Sequence, residues 1–167
     1  MFSRFYPDEW IDSAYDYTFE LAKEAGFRGV IFDVDNTLVP HGAPATDEAK
    51  RLFDRLRALG FSTCLMSNNK EDRVKSFADE VGSAYLYKAG KPLKKGYVKA
   101  MELTGTSATD TLFIGDQLFT DVWGAKRCGI HCVLTKPIDP KEEIQIVLKR
   151  YLEKIVLKEY EKRKNNP

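Results

Sequence analysis

The 167-residue chain is short of several things. No apolar run approaches the roughly 20 residues that a membrane-spanning helix needs. The opening places Asp8, Glu9 and Asp12 where a secretory leader would be basic and then apolar. Three cysteines, an odd number, do not make a disulfide framework; they suit a chain kept reduced, and so a cytoplasmic one. An excess of one charge is also missing. The 26 basic and 25 acidic side chains leave a formal charge of +1, which excludes a strong global field for nucleic acid or an anionic membrane but not a local patch. There is no repeat of solenoid period and no low-complexity block. Residues 90–96 are rich in Lys and Gly but not in Walker order, and no G-x-G-x-x-G is present. Nucleotide-dependent kinase and dinucleotide oxidoreductase readings therefore lose support. What is present, 43% hydrophobic and 31% charged residues, is the composition of a globular chain with a sizeable core, and 1–167 is the length of one domain.

Five short apolar runs have strand length: 29–32, 62–66, 84–87, 111–114 and 130–134. They are rich in β-branched and aromatic residues and do not alternate, which predicts strands buried on both faces of a sheet. Helical spacing fills the intervals. Ala49, Leu52, Phe53, Leu56 and Leu59 define a helix from Thr46 to Leu59, stopped by Gly60. Further helices are predicted over 71–81, 93–104 and 119–127. This alternation predicts an α/β fold of three layers, Rossmann-like, with a mostly parallel five-stranded sheet. In such sheets ligands bind beyond the carboxyl ends of the strands.

Those ends carry chemistry. Asp33-Val-Asp35-Asn36-Thr37 follows the first strand, Ser67-Asn68-Asn69 the second, Gly90-Lys91-Pro92 the third, and Gly115-Asp116 with Thr120-Asp121 the fourth. Asp and Ser are common turn formers, but four successive strand ends are more than turns require. The set suits metal-assisted phosphoryl transfer. Asp33 and Asp35 are two apart, so in an extended chain they point to the same side, and paired carboxylates divide labour, one ionised and one protonated. Asp33 would attack phosphorus, and Asp35 would protonate the leaving alcohol and later activate water. Mg²⁺ on the carboxylates of Asp33 and Asp116 would relieve like-charge repulsion. Ser67 would donate to a phosphoryl oxygen and Lys91 would balance charge.

In this order and spacing, Asp33-Val-Asp35-Asn36-Thr37-Leu38, Ser67, Lys91 and Gly115-Asp116-x-x-x-Thr120-Asp121 resemble the four motifs of the haloacid dehalogenase superfamily in its phosphatase form. The motif-bearing core is 29–135. The resemblance implies Asp33 as nucleophile and Asp35 as general acid/base. It implies a magnesium site from Asp33, Asp116 and the Asp35 backbone carbonyl. Asp121 would orient Lys91 or a metal-bound water, Thr37 would fix the turn after the nucleophile, and Asn68 would support the phosphate. With Tyr6-Pro-Asp-Glu-Trp10 and Lys88-Ala-x-Lys-Pro92, the chain is similar to YqeG-type subfamily IIIA members and, through them, to mitochondrial phosphatidylglycerophosphate phosphatases. That implies a phosphorylated substrate, a lipid headgroup in particular. A phosphoprotein, nucleotide or sugar phosphate is the alternative, and an inactive binding module the second alternative.

A lid domain would need roughly 50 more residues between the motifs, so no cap domain is expected. Only a short flap, Pro40 to Pro44 with His41, lies over the site; His41 either meets substrate or faces solvent. An open site accepts a large phosphorylated partner or is completed by a neighbouring subunit, a homo-oligomer.

Seven of the twenty aromatic side chains lie in the first 19 residues. They read as an N-terminal helix packed on the sheet or as an interfacial anchor. From about 140 to 164 one amphipathic helix is predicted, with Ile144, Leu148, Tyr151 or Leu152, and Ile155 as its buried stripe. Its basic end, Lys162-Arg-Lys164, suits the helix dipole or a transient contact with anionic lipid, which would place the chain peripherally at a membrane. Cys128, His131 and Cys132 are metal-ligand types without a paired C-x-x-C design; His131 and Cys132 are expected in the core of the fifth strand.

Overall fold

The computed structural model describes residues 2–139 and 144–166. A six-stranded sheet carries helices on both faces. The strands are β1 (Glu9–Ile11), β2 (Gly29–Phe32), β3 (Ser62–Met66), β4 (Ala84–Leu86), β5 (Thr111–Gly115) and β6 (His131–Thr135). The helices are α1 (Phe19–Glu24), α2 (Asp47–Ala58), α3 (Glu71–Val81), α4 (Lys94–Thr104), α5 (Trp123–Arg127) and α6 (Ile144–Asn165). Sheet order is β1-β6-β5-β2-β3-β4 with every pairing parallel.

Burial explains the unbroken apolar runs. Val30 and Phe32 of β2 pack with Leu52, Phe53 and Leu56 of α2 and Phe77 of α3 on one face. Ile31, between them, packs with Tyr97 and Ala100 of α4, Ala125 of α5 and Val156 of α6 on the other. Both faces of β2 are therefore dry, and alternation has no use there. α2 begins where the Thr46 side chain accepts a hydrogen bond from the Ala49 N–H at 3.1 Å, an N-cap that satisfies one orphan donor. Gly60, at φ 84°, follows its end.

Three expectations are corrected. The sheet has six strands, all parallel, and not five. The additional strand is β1, whose three residues pair with β6 as Glu9↔Val133, Trp10↔Leu134 and Ile11↔Thr135; three residues between Asp8 and Asp12 are too few to show a period. The aromatic N-terminal segment is not one helix. It forms the 3₁₀ turns Ser3–Phe5 and Ala14–Asp16, β1 and the six-residue α1, with Phe5 edge-on to Phe119 and Trp123 and Tyr17 edge-on to Phe19.

The third correction concerns α6, whose expected start at 140 lies outside the described residues. Its buried positions are Glu153 and Val156, while Leu148, Tyr151, Leu152 and Ile155 are exposed. The side chain of Ile144 lies outside the described residues. The helix turns the other way because Tyr160 stacks edge-on against Tyr6 and Trp10, contacts made by β1 and its approach, elements that the helix's own periodicity cannot register.

Candidate active site

Strand order reverses between β2 and β5. β3 and β4 lie to one side of β2, and β5, β6 and β1 to the other. This is the switch point at which a crevice opens beyond the strand ends. Asp33 leaves β2 there, its N–H donating to the Ile114 carbonyl at 3.0 Å, and Asp116 leaves β5. Asn36, at φ 63°, makes the turn that follows, a conformation asparagine adopts more readily than most residues. Its side-chain carbonyl accepts from the Asp139 N–H.

Lys91 is the centre of the site. Its ammonium donates to Asp33 Oδ1 and to Asp121 Oδ1, each at 2.7 Å, and its side chain is 4% exposed. Burial opposes its charge, but the attraction of Asp121 and Asp33 outweighs that and holds its pKa above the ordinary lysine value. Asn68 supports the backbone here: its amide donates to the Lys91 carbonyl at 3.2 Å and accepts from the Lys91 N–H at 2.8 Å. Ser67 is buried, and its hydroxyl accepts from the Asn69 N–H at 3.1 Å. Asp121 comes from a π-helical turn, Leu118–Val122, and also accepts from the Gln117 N–H. Gly115 is required beside it, since a Cβ there would lie 2.6 Å from Asp121 Cγ.

The carboxylates are crowded. Oxygen atoms of Asp33, Asp116 and Asp121 lie within 4.8 Å of one another, and all three residues are buried. Burial, with repulsion from Asp116 against attraction by Lys91, pushes Asp33 up to about 7. Burial likewise pushes Asp121 up to about 6 and raises Asp116. Thr37 Oγ1 is 3.1 Å from Asp33 Oδ2 and 3.0 Å from Asp116 Oδ1, and its single proton cannot serve both. Three carboxylates against the two cations Lys91 and Arg150 make an all-oxygen set that fits a hard divalent cation. The described carboxylates so placed are Asp33, Asp116 and Asp121; Asp35 joins the expected metal set only through its backbone carbonyl.

The side chain of Asp35 is held elsewhere. It accepts from the Gly42 N–H at 2.8 Å, from Arg73 at 2.9 Å and from Asn69 at 3.4 Å. Burial favours its neutral form, but the Gly42 N–H and the Arg73 guanidinium overcome it and keep its pKa below the usual carboxylate value. The two carboxyls therefore sit in opposite surroundings, burial raising Asp33 and hydrogen-bond donors lowering Asp35. The Gly42 contact closes the flap over Asp35, and His41 faces solvent.

Three contributors escaped the sequence reading. Arg73 lies in the first turn of α3, directly after the Ser67 loop, and its place at that strand end was the available signal. Arg150 and Glu153 come from α6, which carries none of the motifs. Arg150 is bonded to the Asp116 carboxylate, donates to the Asp116 carbonyl at 2.5 Å and pairs with Glu153 at 3.0 Å. Glu153 also accepts from the Leu118 N–H at 2.8 Å. Asp116 forms part of the wall of a cavity of about 610 Å³ between α6 and the ends of β1 and β6, where Trp10, Leu134, Val147, Tyr151 and Leu157 supply apolar surface.

The cysteines stand apart. Cys132 is buried, its Sγ 3.2 Å from Asp8 Oδ2, and burial pushes its thiol up to about 12. His131 is not fully in the core as expected; it is part-exposed and 2.9 Å from Glu9. Cys128 caps α5. No helix among the described residues is long and apolar enough to cross a membrane.

Comparison with known proteins gives the family. The family model described as "Hydrolase: haloacid dehalogenase-like hydrolase" matches residues 41–129, beginning after the Asp33 segment. A Bacillus subtilis (strain 168) protein named "Probable phosphatase YqeG" is 36% identical over 154 residues, 92% of this chain and 90% of that one. An Arabidopsis thaliana protein named "Phosphatidylglycerophosphate phosphatase 1, chloroplastic/mitochondrial" is 30% identical over 84% of this chain and 44% of its own length. The cobalt-bound deoxy-D-mannose-octulosonate 8-phosphate phosphatase of Haemophilus influenzae shares the fold, with a TM-score of 0.55 and 16% identity over 69% of this chain and 81% of that one. The chain belongs to the haloacid dehalogenase-like hydrolases.

Proposed function

We propose that the chain is a single-domain, Mg²⁺-dependent phosphomonoesterase that works through an aspartyl phosphate on Asp33, with phosphatidylglycerophosphate as its substrate. The observation that carries the reading is the buried Asp33–Lys91–Asp121 cluster beside Asp116 at the switch point. Asp33, Asp116 and the Asp35 carbonyl would hold the ion. When bound, Mg²⁺ supplies positive charge that lowers the repulsion between a carboxylate and a phosphate dianion.

The protein's own groups do the rest. Asp33 attacks phosphorus with the oxygen that now accepts from Lys91, and Lys91 stays in place to balance the negative charge on the transferring group. Asp121 keeps the ammonium aimed and charged. Ser67 turns its hydroxyl to a phosphoryl oxygen. Asp35 leaves Arg73, takes up a proton from solvent, and gives it to the leaving alkoxide as the ester P–O bond breaks; ionised again, it accepts a proton from the water that opens the aspartyl phosphate, freeing inorganic phosphate and the Asp33 carboxylate.

The lipid assignment is supported by the Arabidopsis relative's name and by the apolar cavity wall beside Asp116, which suits a greasy leaving group better than a nucleotide or sugar. The test is a phosphatase panel with Mg²⁺ and with EDTA: phosphatidylglycerophosphate in mixed micelles against a phosphopeptide, a nucleoside monophosphate and a sugar phosphate. The lipid should be hydrolysed fastest, with EDTA abolishing release. Preference for a soluble ester would refute the substrate. Asp33→Asn should lose turnover by several orders of magnitude and keep its circular dichroism; retained turnover would refute the nucleophile.

A further inference from the structure

α6 is apolar on two sides. The inner side is used: Val156 is 3% exposed, Leu157 packs on the core, and Tyr160 meets Tyr6 and Trp10. The outer side carries Val147, Leu148, Tyr151, Leu152 and Ile155, each between 46% and 66% exposed, at the one-, three- and four-residue steps that make a continuous ridge. Single surface apolar residues need no explanation, but five on one helix face do. The ridge continues into Lys158 and Lys162, both exposed, which lie one helical repeat of seven beyond Tyr151 and Ile155. Neither lysine has an ion pair among the described residues. Glu159, four residues beyond Ile155 on the same helix, is paired with Arg163 at 3.1 Å.

We infer that the outer side of α6 docks on an anionic lipid surface, the ridge lying at the boundary of headgroups and acyl chains and the lysines against the headgroups. Charge selects this occupant. A second copy offering the same face would set its own Lys158 and Lys162 beside these, exposed basic groups of the same sign. An anionic bilayer supplies both the apolar layer and the negative charge. Val147 and Tyr151 belong to the ridge and also to the wall of the cavity that reaches Asp116, so a surface covering the ridge lies against that cavity. The inference stands whichever phosphate ester the site accepts.

The test floats the full chain with vesicles of phosphatidylcholine mixed with phosphatidylglycerol, and with phosphatidylcholine alone. Binding should require the anionic lipid and weaken with added salt. Leu148→Ser with Ile155→Ser should lower partitioning at least about tenfold, and Lys162→Glu on the order of twentyfold. Both variants should keep their circular dichroism and their turnover of p-nitrophenyl phosphate. No binding to anionic vesicles, equal binding to both compositions, or binding that survives both variants would overturn the inference. A concentration-dependent dimer in sedimentation velocity that the double serine variant dissolves would overturn it in favour of a second copy. Turnover of the soluble ester reads the catalytic site separately, so the two readings fail in different experiments.

Discussion

Lys91→Met isolates the electrostatic core of the site. Methionine keeps the length of the stem and removes the ammonium, its charge and its donors together. In the native chain that charge faces Asp33 and Asp121 at 2.7 Å each, with all three groups buried. Removing one member of a buried ion pair costs about 3–5 kcal/mol, because the remaining charges stay desolvated and unpaired. For a domain of this size each kcal/mol lowers Tm by about 2–4 °C, so Tm should fall by about 6–20 °C. The assay is urea unfolding in EDTA at pH 5 and at pH 8.

The two pH values separate charge from packing. With Lys91 present, Asp33 is already pushed up to about 7 and Asp121 to about 6, both above the unfolded value near 3.9. Without the ammonium both rise further. The folded variant then binds more protons than the unfolded chain, so its stability drops as pH rises through those folded values. The gap to the native chain should be widest at pH 8 and should narrow at pH 5, where the orphaned carboxyls are neutral. A gap that is constant across that range, or below about 1 kcal/mol, would refute the reasoning.

Other outcomes follow from the same geometry. Mg²⁺ should raise Tm most above about pH 7 and progressively less below it, since bound protons must leave Asp33 and Asp116, both raised by burial; each proton displaced weakens apparent affinity about tenfold per pH unit, and calorimetry that finds no proton release would count against the site. Arg150→Met should cost about 3–5 kcal/mol in urea by orphaning Asp116 and Glu153, with Glu153→Gln restoring part of it, and should speed proteolysis within α6. Gly115→Ala should cost about 1–3 kcal/mol by overpacking and lower kcat by pushing Asp121 off Lys91; unchanged kcat would show that Asp121 does not aim the lysine.

Legibility in the sequence followed the range of the interaction. β2, β3, β5 and α3 were readable because each is decided by its own apolar run or spacing and by being buried on a known side. The strand-end residues were readable because the fold collects them at one place, so Lys91, Asp33, Asp116 and Asp121 meet despite their separation. β1 was not readable: its hydrogen bonds depend on β6, more than a hundred residues away. The outward face of α6 was misassigned because a stripe of Leu148, Leu152 and Ile155 says that a helix has an apolar side, not whether another element is waiting to cover it. Arg73 and Arg150 are single basic residues among many, and only their distances to Asp35 and Asp116 distinguish them.

The pairing of β1 with β6 bears on the order in which the chain can acquire its structure. Residues 9–11 pair only with 133–135, so among the described strands this is the ladder with the longest loop to draw in, which slows its formation. Until that moment Trp10 is unplaced, and Tyr160 lacks a wall to rest on. The central ladders, β2 with β3 and with β5, close over shorter loops than the one β1 must draw in before Trp10 and Tyr160 meet.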